Sequence, residues 1–117
     1  MAVMVSGDDL TKENKRTVFH DLGALAFLAK CLSDENRLRI LLCVRDGKKS
    51  VSRIVEEVGL SQPLVSHHLK ELKRSLLVQV ERKGPFIYYE LEDARIVEIL
   101  EQVAELADDL LSNRKSF

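Results

Sequence analysis

Tryptophan is absent from this chain of 117 residues, aromatic residues make up only 5%, and the chain has just two prolines, two cysteines and five glycines. Each scarcity excludes something. A core with so few aromatic rings must be aliphatic. Two cysteines, Cys31 and Cys43, do not amount to a disulfide framework, and in a reducing compartment each is a buried thiol by default. No apolar run approaches the ~20 residues of a membrane span. The opening MAVMVSGDDLTKENKR lacks the positive-then-apolar order of a secretory signal. A cytoplasmic protein with no membrane partner is expected, with residues 1–16 as a flexible arm, 17–112 as one domain and 113–117 as a C-terminal tail. A Ser/His/Asp or Cys/His order, a glycine-rich phosphate loop and a paired-carboxylate cluster are all missing. No enzymatic activity, cofactor or catalytic residue is therefore expected.

A basic excess is missing as well, since the formal net charge is −1. Its distribution is uneven. Residues 61–91 hold five cations against three acids, and residues 92–117 hold three against seven. A small basic face could thus meet a polyanion while the acidic end stays away from it.

What the chain does have is the stretch VSRIVEEVGLSQPLVSHHLKEL, residues 51–72. Val51, Ile54, Val55 and Val58 fall at i, i+3, i+4 and i+7, one apolar face of a helix. Gly59 can take the left-handed conformation that closes it, Leu60 anchors the turn and Ser61 is a good N-cap for the next helix. In that helix Val65, Leu69 and Leu72 point inward, while Pro63, Ser66, His67, Lys70 and Arg74 project opposite. This is a helix-turn-helix whose second helix has a polar, basic outer face. Such a face can read base edges and grip phosphates of double-stranded DNA.

Around it, a first helix is expected over residues 17–31 and a second from a Ser33 cap to about Asp46, with Asp34 and Glu35 in its first turn, Leu38, Leu41 and Leu42 inward, and Gly47 as the stop. Ser50 caps the third helix. After the reading helix the period switches to alternation, LVQVER and FIYYEL on either side of a KGP turn, which predicts a two-stranded β-hairpin with Arg82 and Lys83 at its tip. The fold class is therefore mainly α with a small β part: a winged helix-turn-helix of about five helices. The last helix, from about Asp93 to Ser112, carries more apolar surface than one core needs. With the apolar first helix it predicts a homodimer through Leu22, Leu25, Phe27, Leu28, Ile99, Leu100, Val103, Leu106 and Leu110, and a dimer with two reading helices suits a near-palindromic site.

The run LSDENRLRILLCV, then LSQPLVSHHLKELK, then a wing ending in YYEL, resembles the ArsR/SmtB family of bacterial and archaeal winged-helix repressors over about residues 20–110. The resemblance implies a homodimeric repressor, bound near its own promoter and released by an inducer. It implies DNA contacts at Ser61, Gln62, Ser66 and His67, with Lys70, Arg82 and Lys83 on phosphates. The arsenic, cadmium and lead sensors of the family open the third helix with two cysteines one residue apart. Here Ser50 and Ser52 stand at those positions, and hydroxyls are poor ligands for soft ions. The zinc and cobalt sensors use Asp, His and Glu from the last helix, which has no histidine in this chain. No metal site is expected. A thiol-responsive repressor using Cys31 and Cys43, linked to each other or Cys31 to Cys31 across the dimer, is one alternative. A winged-helix protein-interaction module is another. Where the family has a small residue and then glycine after the reading helix, this chain has Ser75 and Leu76. A leucine at positive φ costs ~1 kcal/mol or more, which predicts a packed Leu76 rather than a left-handed one.

Overall fold

A computed structural model describes residues 20–113. The expected arm, residues 17–19 of the first helix and the tail beyond residue 113 lie outside the described residues. Among the described residues five helices and three strands follow in chain order: α1 (Leu22–Cys31), α2 (Glu35–Cys43), β1 (Lys49–Ser50), α3 (Val51–Val58), α4 (Gln62–Arg74), β2 (Val78–Lys83), β3 (Phe86–Leu91) and α5 (Arg95–Ser112).

Helix starts follow their caps. Asp21 accepts from the Ala24 N–H at 2.9 Å, so α1 begins at Leu22, five residues later than the periodicity suggests. Asp34, not Ser33, caps α2, because its carboxylate reaches both the Asn36 and Arg37 N–H groups. Ser33 instead donates to the Lys30 carbonyl. α2 stops at Cys43 rather than near Asp46, and Val44, its C-cap, is buried in the core. Leu42, expected inside, is on the outer side of this helix, while Ile40 and Leu41 are fully buried.

The wing is a hairpin of β2 and β3, in register from Val78 opposite Leu91 to Lys83 opposite Phe86. Its turn is Gly84-Pro85 with Gly84 at φ +60°. Glycine at the first central position is the pattern of a type II′ turn, whose twist matches that of the strands. Arg82 and Lys83 are the last residues of β2, so they flank the tip rather than form it. A third strand joins the expected pair. β1 aligns Lys49 with Tyr89 and Ser50 with Tyr88, giving the antiparallel order β1-β3-β2. This short strand ties the start of α3 to the wing.

The core is aliphatic: Ile40, Leu41, Val44, Ile54, Val65, Leu69, Leu72, Leu77 and Val78. It comes from α2, α3, α4 and the first residues of the wing. None of the residues of α1 or α5 is buried, although Ile96 and Leu100 pack against the core from α5.

Candidate nucleic-acid interface

Two helices and a three-residue turn build the central motif. The Ser50 hydroxyl accepts from the Arg53 N–H at 3.2 Å and so caps α3. Gly59, at φ +70°, closes it, its N–H returning to the Val55 carbonyl. The left-handed cap turns the chain sharply, and glycine takes it without a Cβ clash. Leu60 packs on the core, and the Ser61 hydroxyl accepts from the Leu64 N–H at 3.3 Å. Pro63 sits in the first turn of α4, where a missing N–H costs nothing.

With α4 anchored at its start, its faces separate. Val65, His68, Leu69 and Leu72 are buried, Gln62, Pro63, His67, Lys70 and Arg74 are exposed, and Ser66 is half-buried. The expected outer face is thus brought together on one side of one helix. Ser61 adjoins it, with its oxygen already engaged as the cap. Arg74 pairs with Glu71 at 3.1 Å, and Lys83 lies 3.8 Å from Glu81. Arg82 is exposed and has no ion pair among the described residues. Glu81 also pairs with Lys48, which holds its carboxyl below the usual range.

The adjacent histidines divide as helical geometry requires. Their rings are 5.4 Å apart and tilted by 58°, with His67 facing solvent and His68 facing the core. Burial pushes the His68 imidazole below its ordinary pKa, against the opposing pull of the Asp34 carboxylate, whose oxygen lies 3.9 Å from Nε2. Asp34 is itself held low, chiefly by the Arg37 N–H it caps. A neutral His68 is therefore part of the support that sets α4 on α2.

The end of α4 departs from expectation. Leu76 is left-handed, at φ +63°, and 75% exposed. The reason is a Schellman closure: the Leu77 N–H donates to the Leu72 carbonyl at 2.9 Å and the Leu76 N–H to the Lys73 carbonyl at 3.0 Å. Leu72 and Leu77, at the two ends of the longer bond, are both buried. That pairing outweighs a local strain of ~1–2 kcal/mol at Leu76.

The cysteines occupy separate settings. The Ser75 hydroxyl donates to the Glu71 carbonyl at 2.8 Å, so the Cys31 thiol, also 2.8 Å away, donates to Ser75. Cys43 lies across from Glu57, which also binds Lys49 and Arg53, both at 2.5 Å. Burial and the Glu57 carboxylate push the Cys43 thiol up, away from reactive thiolate chemistry. Lys49 and Arg53 in turn hold Glu57 down at about 2. Both cysteines are free thiols, Cys31 beside Ser75 at the end of α4 and Cys43 beside Glu57 and Lys49. Ser50 and Ser52 bring their oxygens within 3.3 Å of each other beside the cap. Among the described residues no three His, Cys, Asp or Glu side chains gather as a metal would require.

Of the nine apolar residues expected to meet a partner, eight are exposed: Leu22, Leu25, Phe27 and Leu28 on α1, and Ile99, Val103, Leu106 and Leu110 on α5. Leu100 is the exception, half-buried against its own core. Sequence reasoning passed over Phe86, an exposed ring beside the wing turn, because alternation in β3 marked it only as a strand residue. No helix among the described residues is long and apolar enough to cross a membrane.

Comparison with known proteins agrees with this architecture. The family model described as bacterial regulatory protein, arsR family, matches residues 34–80. An uncharacterised HTH-type transcriptional regulator of Methanocaldococcus jannaschii is 37% identical over 82 residues, 69% of this chain and 92% of that protein. The HTH-type transcriptional repressor SmtB of Mycobacterium tuberculosis is 35% identical over 91 residues, 77% of this chain and 67% of that one. Among solved structures, the homodimeric winged helix-turn-helix DNA-binding domain of a possible ArsR-family regulator from Mycobacterium bovis superposes with a TM-score of 0.67 at 28% identity, covering 75% of this chain and 82% of that one. The motif, the wing and these likenesses lead to one assignment: the chain belongs to the ArsR family of winged helix-turn-helix, DNA-binding transcriptional regulators.

Proposed function

We propose that this regulator is a cytoplasmic homodimeric repressor that reads a near-palindromic operator with α4 in successive major grooves, and that its inducer is not a thiolate-bound metal. One observation carries the reading: α4 buries Val65, His68, Leu69 and Leu72 and turns Gln62, His67, Lys70 and Arg74 outward. Gln62 and His67 lie where side chains of a helix N-terminal half meet base edges, with Ser61, Pro63 and Ser66 close to them. Lys70, Arg74, Arg82 and Lys83 supply phosphate contacts on either side. The exposed apolar faces of α1 and α5 suit a second copy, which would bring two reading helices to one duplex. A protein-interaction module is less well supported, since it calls for an apolar or acidic outer face on α4. The inducer reading rests on Ser50, whose hydroxyl caps α3, and on Ser52 beside it, neutral hydroxyls where soft metals need thiolates.

The test is binding of Gln62→Ala and His67→Ala to an operator selected in vitro and to random duplex. Each is expected to lose roughly 1–3 kcal/mol on the operator and much less on random DNA. Equal losses on both would remove the base-reading role.

A further inference from the structure

The wing holds an apolar side chain that neither the core nor the dimer faces account for. Phe86 is the first residue of β3 and 54% exposed; its ring rests against Tyr88 at 6.4 Å, outside the core cluster. It follows the Gly84-Pro85 turn, whose proline fixes the tip, and stands directly across from Lys83, with Arg82 across from Ile87. Phe86, Pro85 and Ile87 also form one wall of an open cleft of about 300 Å3 whose other wall includes Gln62 and Ser66 of α4. No residue lining that cleft is charged, so its walls suit sugars and base edges, while the cations flank the wing outside it.

We propose that Phe86 is an apolar wedge that the wing drives into the minor groove beside the major groove occupied by α4. The inference rests on the DNA-reading role of α4 and adds a contact of a different kind. An apolar ring pressed between base pairs partly unstacks them and kinks the duplex, with Arg82 and Lys83 positioned to hold the phosphates on either side. Pyrimidine–purine steps yield most easily. The wing thereby selects a TA or CA/TG step at a position no hydrogen bond from α4 reads.

The experiment uses the full chain and an operator selected from random duplexes, end-labelled so that energy transfer reports the bend. Phe86→Ala is expected to bind about tenfold more weakly, as befits loss of a partly buried ring, to bend the duplex less, and to keep the salt dependence of the unaltered protein. Phe86→Leu is expected to recover most of both losses. Phe86→Thr, which retains strand preference but not the apolar tip, is expected to behave like alanine, so a weakened strand would not account for the result. Unchanged affinity and bend in Phe86→Ala would overturn the wedge, as would a loss accompanied by a flatter salt dependence. Gln62→Ala measured alongside separates the two failures: a defect there without one in Phe86→Ala rejects the wedge alone, and no defect in either rejects the reading of α4.

Discussion

The middle of this molecule and its two flanking helices are built to different degrees of completion. From Ile40 to Val78 the chain closes a core upon itself, with nine apolar side chains almost wholly shielded from water. α1 and α5 together contribute 28 residues and none of them is buried. Yet both are apolar, with α1 the most hydrophobic of the described helices and α5 studded with Ile99, Val103, Leu106 and Leu110. An isolated helix as short as α1 is marginal in water. The middle therefore explains its own stability, and the flanks call for a partner. In the dimer proposed above a second copy supplies that partner, and the helices that need covering would also set the spacing of the two reading helices.

The sharpest way to break this contrast is from the inside. Leu72→Ala, at a fully buried site under α4, is expected to cost about 2–5 kcal/mol in chemical denaturation, because the cavity forms where α2, α4 and the wing meet. The same kind of change on a flank should act through assembly instead. Val103→Glu with Leu106→Glu is expected to yield monomers in sedimentation, with weakened operator binding and an intact wing and reading helix by NMR. A stable dimer in that variant would move the interface elsewhere.

Smaller effects sharpen the account of the middle. Leu76→Gly is expected to raise stability by about 1 kcal/mol, since glycine relieves the left-handed strain and the Leu77–Leu72 closure stays in place. A loss would mean that the exposed leucine makes a contact worth more than its strain. The pH dependence reports on His68. Its folded pKa lies below 6.5, so the unfolded chain binds the extra proton first and stability falls as pH drops below about 6.5. In His68→Leu that part of the slope is expected to vanish from denaturation curves taken across the same range.

Much of the site could be read from the residues. Ser50, Gly59 and Ser61 act within a few positions of themselves, through caps and one left-handed turn, so the helix-turn-helix and the division of α4 into faces were legible before any contact was known. Shorter-range competition was harder. Ser33 and Asp34 are both good caps, and only the geometry of α2 shows that the carboxylate takes both amides. Phe86 was legible as a strand residue but not as an exposed ring facing the cleft beside α4, because period-2 alternation assigns a face without saying what lies opposite it.

The sequence by itself determined the succession of helices and the polar strip along α4, because helical period, caps and turn residues are local properties. Tertiary structure decided the rest. It joined Lys49–Ser50 to β3, a strand too short to leave a period, and set the Cys31 thiol beside Ser75 and the Cys43 thiol beside Glu57. It also held Leu76 left-handed, since burial of Leu72 and Leu77 is a non-local gain that local propensity cannot weigh.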